Sequence, residues 1–112
     1  MERMNSVYLL GTGTALSASD EINNLTVTSV AGTAVGDTKI TVSPTLTAGN
    51  SYKYKVDTDV TIPDYGKSVR TMASWDGTSD ITAATGKEIL IVECDSNYIA
   101  VKAGITTVTA KA

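Results

Sequence analysis

Residues 88–112, EILIVECDSNYIAVKAGITTVTAKA, decide the fold. They place three β-rich runs in succession, EILIVEC, YIAVKA and ITTVTAKA, parted by Asp95-Ser96-Asn97 and by Gly104. Ile89 and Ile91 lead the first run, Ile99 and Val101 alternate in the second, and Ile105 and Val108 carry the third. Apolar residues in short runs bounded by turn residues read as strands of a sandwich or barrel. Further upstream, residues 51–56 hold the cleanest alternation. Tyr52, Tyr54 and Val56 share one face and Lys53 and Lys55 the other, which predicts a half-buried strand with a basic outer face. Residues 25–30 and 38–43 alternate in the same way. Residues 60–62 and 69–75 are weaker strand candidates, parted by the turn Pro63-Asp64-Tyr65-Gly66. Seven or so short strands with no useful helical period predict an all-β antiparallel sandwich over residues 25–112.

A chain of 112 residues supports one core, so this domain accounts for the whole fold. Phenylalanine is absent, and Val, Ile, Ala, Leu and Thr carry the apolar content. The β-branched residues among these suit a pleated, half-buried surface. Trp75 is the one large side chain available as a centrepiece. The formal charge of −3 comes without a basic block. That argues against nucleic acid or an anionic membrane as partner, because both are bound by clustered cations. Cys94 is the single cysteine, sits in an apolar run and is expected to be buried as a small hydrophobe.

Catalytic chemistry has little to work with. With no histidine in the chain, Cys94 lacks the usual activating base, and no Ser lies in a G-x-S-x-G elbow. Asp76 with Asp80, and Asp57 with Asp59, offer fewer oxygens than a recognisable calcium loop. They read as turn residues whose carboxylates cap backbone amides. No enzyme, cofactor or metal is expected.

Residues 1–24 are rich in Gly, Thr, Ser and Asn and read as an extended N-terminal arm. Val7, Tyr8, Leu9 and Leu10 are more apolar than a solvated tail requires, and such a strand can add to an edge on a partner chain. They are the expected partner-binding residues. The same apolar run is too short for a signal-peptide core, so the chain reads as used without secretion. Among the aromatics, Tyr65 and Trp75 would be the glycan-stacking pair if both lay on the surface. For a core without Phe, Trp75 is better read as filling the interior.

The phrases GDTKITVSPTLTAGNSYKYKV, WDGTSDITAATGKEI, IVECD and VKAGITTVTAKA resemble the small immunoglobulin-like accessory domains of tailed-phage virions. The resemblance covers residues 25–112. It implies an immunoglobulin-like antiparallel β-sandwich and a capsid (head) decoration protein located on the virion surface and assembled in the bacterial host cytoplasm. The phage major capsid protein would be its partner, with self-association into a homo-oligomer as a second contact. The closing strands are also similar to bacterial immunoglobulin-like domains on cell surfaces, so a cell-surface or carbohydrate-binding module is the competing expectation. The lack of a signal peptide, a wall-anchoring tail and a second repeat is set against that alternative.

Overall fold

A computed structural model describes residues 22–112, and every regular element among them is a β-strand. Val7, Tyr8, Leu9 and Leu10 lie outside the described residues. The strands are β1 (Asn23–Asn24), β2 (Thr26–Ala31), β3 (Asp37–Ser43), β4 (Ser51–Asp57), β5 (Ala73–Trp75), β6 (Ile81–Thr82), β7 (Glu88–Cys94) and β8 (Ala100–Thr107). They form a five-stranded sheet in the order β1-β8-β7-β4-β5 and a three-stranded sheet in the order β2-β3-β6. All pairings are antiparallel except β1 with β8.

β7 explains why its sequence is continuously apolar where the other strands alternate. It is the middle strand of the larger sheet and is buried on both faces. Ile89 and Ile91 enter the core between the sheets with Leu25, Val27, Ile40, Tyr52, Trp75, Ile81 and Val108. Leu90, Val92 and Cys94 point the opposite way, into a second cluster with Val60, Val69, Ala100 and Ala103. The long β4–β5 connection, residues 58–72, supplies Val60, Val69 and Met72 to that cluster, so a loop covers the outer face of the sheet. Each fully buried aliphatic side chain contributes about 1.5–3 kcal/mol of transfer free energy, which is why a strand buried on both faces tolerates so few polar residues.

This second cluster corrects two sequence expectations. Lys53 does not face solvent. It is 6% exposed, its Nζ donates to Ser74 Oγ at 2.8 Å and it lies 4.8 Å from the centroid of the Tyr98 ring. Residues 60–62 form no strand, and of residues 69–75 only the last three pair with a neighbour.

The closing region contains two strands where three runs were expected. Gly104 lies inside β8, opposite Ile91. Its missing side chain serves a crossing. Asn23 and Asn24 pair with Lys102 and Ala103 on β8, Leu25 N donates to Ala103 O at 2.8 Å, and the chain then departs to the other sheet as β2. A Cβ on Gly104 would overlap Leu25 O and stand 2.9 Å from Val27 Cγ2. Glycine is required here for close approach of two backbones, not for a turn.

The path also places the two ends of the described segment. Asn23 lies beside the start of β8. The segment after β8 is fixed at the far end of the sandwich, where Gly36 N donates to Lys111 O and Lys111 N to Asp37 O, each at 2.9 Å. The described chain therefore enters at one end and leaves at the other.

Candidate functional site

The side-chain chemistry of this domain is concentrated where loops bridge the two sheets. Trp75 ends β5 and is 8% exposed. Its ring lies 5.3 Å from that of Tyr52, and its Nε1 donates to Ser79 O at 2.8 Å. The indole thus fills the core and pins the turn that follows. Tyr65, in contrast, is 47% exposed on the β4–β5 connection. The structure does not join these two residues in one platform. A cleft of about 480 Å³ is lined by Tyr54, Ser74, Trp75, Asp76, Ser79, Asp80 and Ile81, so the tyrosine that shares this cleft with Trp75 is Tyr54 and not Tyr65.

The carboxylates in that cleft are committed to the fold. Asp76 Oδ1 accepts from Thr78 N at 2.9 Å and Ser79 N at 2.7 Å, and the Ser79 hydroxyl donates to Oδ2. Gly77 at φ 86° lets the turn close beneath it. The Ser79 hydroxyl first, and then the Ser79 and Thr78 amides, hold the Asp76 carboxyl down to about 2. Asp80 reaches further. Its Oδ2 accepts from Thr33 N at 2.7 Å and its Oδ1 lies 3.7 Å from Lys39 Nζ, tying the β5–β6 turn to the β2–β3 hairpin. The Thr33 amide, followed by the Lys39 ammonium, lowers the Asp80 pKa. Asp57 Oδ1 accepts from Thr58 N at 2.7 Å. Asp57, Asp76 and Asp80 therefore act as caps and ties.

Glu93 is the polar residue that sequence pattern did not single out. It is fully buried on β7, in a cross-sheet row with Tyr52 on one side and Lys102 on the other. Its Oε2 accepts from Asn50 Nδ2 at 2.7 Å and from Thr47 N at 3.4 Å, and Lys102 Nζ lies 3.9 Å from Oε1. One carboxylate thereby clamps the crossover from β3 to β4 against the larger sheet. Burial first, and the Glu93 charge second, raise the Tyr52 pKa. A Glu next to last in an apolar run, two residues before the turn that opens at Asp95, gives no sequence signal of this role, because an exposed strand end has the same spelling.

On the outer face, the Tyr98 ring carries Lys53 Nζ at 4.8 Å and Arg70 Cζ at 4.7 Å. Cations over an aromatic face are held by its quadrupole, and here they fasten the β4–β5 connection to the β7–β8 turn. Cys94 is completely buried, as expected of a structural thiol.

These features define a rigid β-sandwich module whose polar side chains brace loops and whose chain enters and leaves at opposite ends. The family model of the S-layer protein SbsC C-terminal domain matches residues 30–111. The chain belongs to that family, which is one of structural surface-layer domains. The crystal structure of S-layer protein SbsC domains 7, 8 and 9 is similar with a TM-score of 0.62 and 27% sequence identity over 80% of this chain. The structure of surface layer protein SbsC domains 4–9 is similar with a TM-score of 0.61 and 27% identity over 81%. The chain spans 28% of the first of those chains and 15% of the second, about one domain of three and one of six. No curated protein sequence matches.

These findings overturn the phage reading. The resemblance to virion accessory domains, the role as a capsid decoration protein, the phage major capsid protein as partner and the virion location all give way to a surface-layer domain. The quoted phrases encode closing strands and bracing turns, which many sandwiches share, so they carried the fold and not its setting. The signal, tail and repeat weighed against the cell-surface alternative belong to whole proteins, whereas the similarity here is to single domains of longer chains.

Proposed function

We propose that this chain is a non-enzymatic structural domain of a bacterial surface layer, joined to similar domains end to end and packing with them into the layer at the cell surface. The observation that carries the reading is the family match across residues 30–111. The fold supports it physically, because entry and exit at opposite ends allow domains to follow one another without doubling back. The buried brace of Glu93 and the Trp75–Tyr52 pair favour a stiff unit, as a load-sharing sheet of protein requires. Val7, Tyr8, Leu9 and Leu10 are proposed to contact a neighbouring surface-layer domain. The test is immunogold labelling of intact cells of the source organism with an antibody to residues 25–112. Dense labelling of the outside supports the assignment, and label that appears only after permeabilisation refutes it.

A further inference from the structure

We propose that the edge of β2, unpaired among the described residues, is a strand-pairing interface for the β2 of a second copy of this chain; the inference rests on the surface-layer reading for its biological setting only. Of the four sheet edges among the described residues, β1 and β6 are two residues long and β5 is three. Such short edges are the usual protection against unwanted pairing. β2 runs for six residues, Thr-Val-Thr-Ser-Val-Ala, in unbroken register with β3, and contains no charge, proline or bulge. An edge of that length and composition is one that natural proteins ordinarily blunt unless it is used.

The groups on offer can be named. Gly32 N donates to Asp37 O at 2.9 Å, so that pair is a hydrogen-bonded one. Antiparallel pairs alternate between bonded and non-bonded. Val30, Thr28 and Thr26 therefore spend their backbone groups on β3, while Val27, Ser29 and Ala31 direct theirs to the open side. Leu25, which shares that side, gives its N–H to Ala103 on β8, and among the described residues no backbone bond to β8 follows from Val27 onward.

One symmetric register uses all of these groups. With a two-fold axis through Ser29, Val27 pairs with the partner's Ala31, Ser29 with the partner's Ser29, and Ala31 with the partner's Val27. Thr28 then stands opposite the partner's Val30 on the outer face, as a non-bonded pair with close side chains. That contact would cover Val30, which is 54% exposed. The edge is neutral, so a copy meets no like charge when it pairs with itself. The three-stranded sheets would join into one of six.

The test is disulfide capture on the full chain. Single variants Thr28→Cys and Val30→Cys are oxidised with glutathione disulfide, separately and as an equimolar mixture; Cys94 is fully buried and does not compete. The register predicts about tenfold more linked dimer in the mixture than in either variant alone, because only the mixed pair faces across the axis. Equal yields in all three samples overturn the register, and no linkage overturns the interface. Val30→Lys should raise the dimer dissociation constant about tenfold by placing a charge at the edge, and an unchanged constant would count against the proposal. Removing residues 1–21 should leave the linked yield unchanged; loss of linkage would make the arm the contact that joins the copies and refute β2 self-pairing. Cross-linking is read on the purified chain and the surface-layer assignment on intact cells, so either can fail alone.

Discussion

Replacing Gly104 by Ala separates the sequence's local preference from the demands of this fold. In a strand interior, glycine is worse than alanine by about 0.5–1 kcal/mol, so propensity alone predicts a more stable protein. The structure predicts the reverse. The added methyl would overlap Leu25 O and lie 2.9 Å from Val27 Cγ2 and 3.0 Å from Leu25 C. The obstructing atom is backbone, held by the Leu25–Ala103 hydrogen bond and by β1 immediately before it. Relief requires the chain to move at the crossing between sheets. Overpacking of this kind costs about 1–3 kcal/mol, and weakening the 2.8 Å crossing bond adds about 1 kcal/mol. The sum, about 2–4 kcal/mol, should lower the melting temperature by roughly 10–25 °C for a domain of this size. Differential scanning calorimetry of wild type and variant reads it directly. Val27→Ala in the same chain should not restore stability, because the Leu25 carbonyl remains in the way. An unchanged or raised melting temperature for Gly104→Ala would refute the crossing argument.

Trp75→Ala should cost about 3–5 kcal/mol in urea unfolding, since it removes a core indole and leaves Ser79 O without its donor; a loss under 1 kcal/mol would place the ring on the surface. Glu93→Ala should cost about 2–4 kcal/mol by stranding Asn50 Nδ2 and Lys102 Nζ, and hydrogen exchange should show residues 44–50 losing protection first. Protection lost equally everywhere would contradict the clamp. Asp76 titrates at about 2 when folded, below the ordinary carboxylate value near 3.9. Its stabilising contribution is therefore full above about pH 4 and fades as pH falls toward 2, because the unfolded chain takes up the proton first. Asp76→Asn should flatten the acid limb of the stability curve in that window, and an acid limb as steep as wild type would remove Asp76 as its source.

The strands legible in the sequence were those with one wet face. Residues 51–56 alternate because Tyr52 enters the inter-sheet core while Lys55, on the opposite face, stays exposed, and residues 25–30 and 38–43 alternate for the same reason on the smaller sheet. The turn carboxylates were legible too, because Asp followed by Gly-Thr-Ser has few uses other than accepting its own backbone amides. What escaped was every feature created by a second layer. Lys53 looks solvated in a strand pattern, yet residues 58–72 fold over it and exchange water for Ser74 and Tyr98. Gly104 looks like a turn residue, yet it marks where a strand changes sheet. Glu93 looks like an exposed strand end, yet a loop from the other sheet reaches down to it.

These three residues explain why the fold could be read while the setting could not. Lys53, Gly104 and Glu93 are each placed by a contact distant in sequence, and all three act to hold loops and sheets in one arrangement. Residues that serve rigidity carry no catalytic pattern, and on the surface-layer function proposed above the working surfaces are the ends and edges of the domain. Ends and edges are spelled with ordinary strand and turn residues, Thr, Val, Ser and Ala among them. The same spelling would serve a virion accessory protein or a surface layer. Only similarity over the whole sandwich separates the two, and it does so through the assembly to which the related domains belong.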